Sequence, residues 1–414
     1  MKNGMATPNL NDSGRAAAPA GARSKALACL GSVLLLTANL APAATLNKDQ
    51  AKRMYDRIAG VTASDATLTS MVGMDATQAA LNIVTKDPAF YNNTVRNLAM
   101  PWTNRDQTVF APLNDYVATV VGMVRDDVPF NTLLSADLVY IADAGATSTY
   151  SLPAYSAGNN DLYQQMDDNG VDLKAHLVSS SQSALTGLPA TATAGVLTTR
   201  AAAAAFFING TNRAMFRFTM MNHLCSDLQV IMDTTRPPDR IRQDVTRSPG
   251  GDSSLFLNNC IGCHSGMDPM AQAFAYYDFN NTDPTTAGSV GQIVYTVGQV
   301  QPKYFINNTN FPQGYVTPDE HWDNRWRSGV NSLMGWDPNL TGSGTGAKSL
   351  GQELAGSQAF AGCQVTRVFK YVCFRAPSNA ADRTQVATMV ASFKSSNYSL
   401  RQVFADAAVY CMGN

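Results

Sequence analysis

Cys260-Ile261-Gly262-Cys263-His264 is the stretch on which the reading of this chain turns. On one turn of helix, two thiols three positions apart share a side, and the imidazole of the next residue stands beside them. A flat macrocycle laid there is held at three points, by two thioethers to its vinyl groups and by one nitrogen on its iron. This is the attachment pattern of haem c, with Cys260 and Cys263 as thioether donors and His264 as the proximal iron ligand.

Two other chemistries use paired cysteines. A redox disulfide of the thioredoxin type follows a βαβ pattern, whereas Ser254-Leu255-Phe256-Leu257 reads as a helical approach. A zinc site wants a further soft ligand close by, and the neighbouring sequence offers none. Chance is a weak rival: with seven Cys and four His, the full pattern arises in roughly one such sequence per thousand.

Working outward, residues 1–44 read as a signal peptide. Arg15, Arg23 and Lys25 precede an apolar run from Ala26 to Leu40, and Ala41-Pro42-Ala43-Ala44 supplies a small-residue cleavage pattern. The run is too short to span a bilayer, and no later stretch is long enough, so no transmembrane span is expected in the mature chain. Cys29 sits near the start of the run rather than after it, which speaks against lipid attachment. The expected location is outside the cytoplasm: the periplasm first, the outer surface or extracellular space next. A formal net charge of -1 over 414 residues gives no basic field for nucleic acid. A redox partner protein is the expected partner.

The remaining pattern is mainly α. Leu113, Tyr116, Val117, Val120, Val121 and Val124 recur at helical spacing, and Pro129 closes that segment. Residues 143–197, rich in Ala, Ser, Thr, Gly and Asn, read as connecting sequence with one short helix around Asp161 to Gln165. Helical patterns return at Arg200 to Phe207, Asn212 to Leu224, Ser349 to Phe374, Ala381 to Phe393 and Leu400 to Cys411, with a small hairpin arm around Gln292 to Val297. The expected layout is a helical N-terminal domain at 45–145, a loop-rich linker at 146–197, and a cytochrome c-like helical haem domain with a small β arm and long loops at 198–414.

The sequence past the motif, Met267-Asp268-Pro269 and then Tyr277-Asp278, resembles the haem module of the large secreted cytochromes of planctomycetes and proteobacteria, whose flanking domains have no assigned function. Gly195-Val196-Leu197-Thr198, Phe360-Ala361-Gly362-Cys363 with Val368-Phe369-Lys370-Tyr371, and Asp126 to Tyr140 resemble other segments of that family. Gln272 stands where the family has an aromatic residue and Ala275 where it has an acidic one, so contacts behind the haem are expected to differ. The resemblance implies fold and cofactor; it carries no physiological role.

The sixth iron position needs a residue that can reach the opposite face. Met267 and Met270 are too near His264 and read as packing residues. Met334, in the turn-rich Asn331 to Pro338, is the favoured distal ligand; His321 beside Trp322 comes next, then His223 or a vacant position. Cys363 and Cys373 stand ~15 Å apart along a continuous helix, too far to bond. Each needs another partner, and of the connectivities that four cysteines allow, the simplest pairs Cys373 with Cys411 and Cys225 with Cys363. Gly342 to Ser349 almost spells a phosphate loop, but Ala347 replaces the glycine before Lys348. Asp126-Asp127 and Asp167-Asp168 read as exposed loop charges.

Three function classes follow. An exported monohaem electron carrier or redox subunit leads. A haem enzyme working on peroxide or oxygen at a five-coordinate iron is second, and a partner-docking module with a redox appendage is third.

Overall fold

Asn47 opens the first helix because its side chain accepts the Gln50 N–H while the Gln50 side chain accepts its own. Gly60 closes that helix in the left-handed conformation at φ 71°. The computed structural model describes residues 45–207, 212–236, 256–281, 290–305 and 317–413. Residues 1–44, where a signal peptide with Cys29 is expected, and residues 254 and 255 of the approach to the motif lie outside them.

The order is α1 (Lys48–Ala59), α2 (Asp65–Met71), α3 (Ala76–Lys86), α4 (Arg96–Ala99), α5 (Asp115–Arg125), β1 (Val139–Ala142), α6 (Ala144–Tyr150), α7 (Asp161–Asp168), α8 (Leu173–His176), β2 (Leu177–Ser180), α9 (Gln182–Thr186), α10 (Arg200–Phe206) and α11 (Arg213–His223). Then come α12 (Ile261–Ala271), β3 (Tyr277–Asn281), β4 (Gly291–Tyr295), β5 (His321–Asp323), β6 (Ser343–Thr345), α13 (Gly346–Ala355), α14 (Gln358–Cys373), α15 (Ala380–Ser395) and α16 (Leu400–Cys411). The chain is mainly helical. Its strands form three antiparallel pairs, β1 with β2, β3 with β4 and β5 with β6. The β3–β4 pair is the small arm, with Phe279 opposite Ile293.

Residues 143–197 depart from the expectation of a mostly unstructured connection. They hold α6, α7, α8, β2 and α9, each helix a turn or two long and most fixed by a cap such as Asp143, Asp172 or Ser181. Elements this short give no periodic signal in sequence. The stretch read as one helix from Ser349 to Phe374 is two, because Ser357 accepts the Phe360 N–H and restarts the chain as α14.

Packing crosses the boundary drawn at 146–197. The C-terminal α16 lies against α3 and α1 as well as against α14 and α15. Gln50 Nε2 donates to the Gly413 carbonyl at 2.9 Å, and Arg57 Nη1 to the Cys411 carbonyl at 2.6 Å. One apolar cluster runs from Leu46 to Met412 through Trp102, Phe130, Trp326 and Phe369, with a small satellite of Ala275, Tyr276, Val300 and Tyr304. Truncating any of the fully buried aromatics of that cluster costs ~3–5 kcal/mol.

Candidate functional site

α12 carries the motif, and its local sequence explains its placement. A turn of π-helix at Phe256–Cys260 feeds it, so Cys260 stands at its start and Cys263 and His264 in its first turn. Gly262 and Gly266 lie on the side away from these three. A Cβ at Gly266 would fall 2.0 Å from the indole of Trp326, and one at Gly262 3.0 Å from the Met232 side chain. Glycine is what lets those two side chains seat directly on the helix backbone. The irregular segment following Leu228 is stitched along the same helix: Cys263 Sγ donates to the Leu228 carbonyl at 3.4 Å, Asp233 N–H to the Gly262 carbonyl at 2.8 Å, and Ser265 Oγ to the Asp233 carbonyl at 2.7 Å.

Two cysteines behave unlike the other four. Cys225 is bonded to Cys363 and Cys373 to Cys411, the same two pairs the sequence reading put together. Cys260 and Cys263 are unbridged and half-buried. Burial, with the Asp227 carboxylate and Cys260 adding to it, pushes the Cys263 thiol above its ordinary value despite Arg217. Among the described residues no three His, Cys, Asp or Glu side chains gather to hold a metal ion.

His264 is oriented from behind. Its Nδ1 lies 3.0 and 3.2 Å from the two oxygens of Asp268, one helical turn on. Asp268 is buried and receives the guanidinium of Arg213 from α11 through two contacts of 2.7 and 2.9 Å. Burial would raise that carboxyl, but Arg213 and His264 outweigh it and hold it below the usual carboxylate range. α11 runs antiparallel to α12, since Arg213 meets Asp268 while Arg217, forked to Asp227, acts on Cys263. Spacing in the sequence gives His264 and Asp268 as neighbours; Arg213, fifty-odd residues upstream, has no such signal.

Met334 is buried in a short 3₁₀ turn, Val330–Met334. That turn is tied to the segments that pack over Gly262 and Gly266: Asn331 Nδ2 donates to the Ile231 carbonyl at 2.8 Å, and Trp336 Nε1 to the Trp326 carbonyl at 2.9 Å. His321 lies half-exposed on β5 with Nε2 3.3 Å from Asp323. His223 is fully buried elsewhere, between Trp102 and Tyr116, and shares a 2.6 Å hydrogen bond with the Tyr116 hydroxyl. Met267 and Met270 are buried, as packing residues should be.

The decoys have structural partners. Asp126 binds Arg125 and Tyr140, Asp127 binds Ser399 and Arg401, and Asp167 binds Arg96. Asp126 and Asp127 are exposed in the turn after α5, as expected, and also cross-link it to Tyr140 and Arg401, whereas Asp167 lies within α7, partly buried against Arg96. Lys348 donates to the Ala190 carbonyl at 2.7 Å, and no phosphate cradle surrounds it among the described residues.

Around the motif several apolar side chains face outward. Val230, Met232, Val330 and Leu333 are all more than half exposed, Leu333 at 90%, and the Asn331–Ile231 bond holds their two segments together. Comparison of the chain with protein-family models, curated proteins and solved structures gives no match.

Proposed function

We propose that the chain is an exported monohaem c-type cytochrome that transfers electrons, with the haem on Cys260, Cys263 and His264. The observation carrying this is the contrast among cysteines: two adjacent, unbridged thiols followed by an imidazole, in a chain whose other described cysteines are all bridged. Each thiol adds across a vinyl double bond, sulfur to one carbon and hydrogen to the other, so attachment needs reduced thiols and no oxidant. Cys260 and Cys263 meet that need. When bound, the haem supplies a one-electron couple whose potential follows its axial ligands and surroundings. His264 would ligate the iron, its ring fixed through Asp268. For a second iron ligand we propose Met334, the thioether of the turn Val330–Met334.

The disulfides fit an oxidising compartment, where haem c is also attached. Among the described residues no helix is long and apolar enough to cross a membrane. The apolar grouping at Val230, Met232, Val330 and Leu333 supports close approach of a redox partner.

The test is a visible spectrum of the exported protein, oxidised and reduced, with a pyridine haemochrome assay. One covalent haem with the weak ~695 nm band of methionine-ligated ferric iron is the expected result. A high-spin ferric spectrum that shifts with peroxide or cyanide would replace the carrier with a haem enzyme. Absence of covalent haem would overturn the proposal.

A further inference from the structure

The contact behind His264 has a more specific content. Histidine and carboxylate stand four apart on α12, so a single helix face presents both. Nδ1 lies within hydrogen-bond distance of both Asp268 oxygens, at 3.0 and 3.2 Å. The Asp268 side chain is 3% exposed, so water does not compete for it, and Arg213 answers the same two oxygens with a planar fork. A buried carboxylate seated this firmly cannot swing away from the ring. A helix of eleven residues with a proline inside it at Pro269 would be an odd place to spend a buried ion pair for stability alone, since such pairs gain little over apolar packing.

We infer that Asp268, clamped by Arg213, is the positioning residue that fixes the His264 tautomer and sets the potential of the iron bound to it, an inference that rests on the haem reading above. With its hydrogen on Nδ1 and shared with Asp268, the imidazole presents the Nε2 lone pair outward. A carboxylate acceptor draws that hydrogen more strongly than a backbone carbonyl would, leaving the ring a stronger electron donor. A stronger donor stabilises ferric over ferrous iron and lowers the potential.

The experiment uses the holoprotein and two variants, Asp268→Asn and Asp268→Glu. Each is assayed for haem c by pyridine haemochrome and then titrated spectroelectrochemically. Asp268→Asn is expected to favour the reduced form at least tenfold at fixed ambient potential, which for one electron is 59 mV. Asp268→Glu, which keeps the carboxylate, returns most of that change. Equal potentials in the wild type and Asp268→Asn, with haem present in both, overturn the inference and leave the haem reading standing. Wild-type protein without haem c fails the haem reading itself, and the inference with it. Should Asp268→Asn load no haem, the wild type still decides through exchange of the His264 Nδ1 hydrogen followed by NMR. A protected hydrogen supports the inference; exchange at the solvent rate overturns it.

Discussion

The cysteines of the motif and those of the C-terminal helices share one chain and meet opposite fates. Cys225, Cys363, Cys373 and Cys411 sit on elements whose packing brings their Cα atoms to 5.3 and 5.5 Å in pairs, and they are bridged. Cys260 and Cys263 share the start of one helix, half-buried and unbridged, with burial pushing the Cys263 thiol above its ordinary value. The difference teaches that redox state here follows what the surrounding elements do with each thiol. One region uses sulfur to fasten helices, and the other keeps it available.

The most decisive way to break that comparison is to remove the available sulfurs. Cys260→Ser with Cys263→Ser should abolish covalent haem in a pyridine haemochrome assay while mass spectrometry still finds both disulfides. A Cys260–Cys263 bridge in the untreated protein would erase the distinction outright.

Removing the fastening sulfurs should act on stability and leave haem attachment intact. By loop-closure entropy, the Cys225–Cys363 bridge, spanning 138 residues, is worth about 5 kcal/mol, and Cys373–Cys411, spanning 38, about 4 kcal/mol. Urea unfolding of the two double-alanine variants should rank them in that order, with unchanged haem per folded molecule.

The two regions should also respond to acid and base with opposite sign. His223, two residues before Cys225, is pushed down to about 3, first by burial and then by Arg367. The unfolded imidazole takes up a proton near ~6.5 and the folded one does not, so stability present above that value is lost as pH falls from there toward 3. His223→Gln should flatten this acid loss, read as urea midpoints between pH 7 and pH 4.

Glu320, on the motif side beneath Tyr295, is raised to about 7 by burial, with Asp319 adding and the Tyr295 hydroxyl opposing. Its contribution is complete below the ordinary glutamate value and is lost as pH rises through 7. Glu320→Gln should flatten the decline between pH 6 and 8. This effect should be smaller than that of His223, because Tyr295 at 2.9 Å compensates part of the cost of the charge.

Much of this was legible in the residues. The spacing of Leu113, Tyr116, Val117, Val120 and Val121 gave α5 and its buried face, and Pro129 gave its end. Helix length ruled out a Cys363–Cys373 bond, and the simplest of the pairings that remained is the one found. What stayed hidden depends on distance in the chain. Nothing local to α1 says that it will be completed by α16, and nothing near His264 announces Arg213. The capped single turns between residues 143 and 187 carry polar signals that resemble those of loops, because the same Asp and Ser side chains serve both.

The tie between the two ends of the described body has a consequence in time. Gln50 meets Gly413 across 363 residues, and α3 finds its partner only in the last helix. Contacts of such separation form late in folding, after local turns and helices are in place. In a chain delivered N-terminus first, Cys260 to His264 emerge while α1 and α3 still wait for α16. On the proposed reading, the motif would be open to an attachment apparatus before the body around it closes, and the order of synthesis itself would provide the interval in which a bulky group is added.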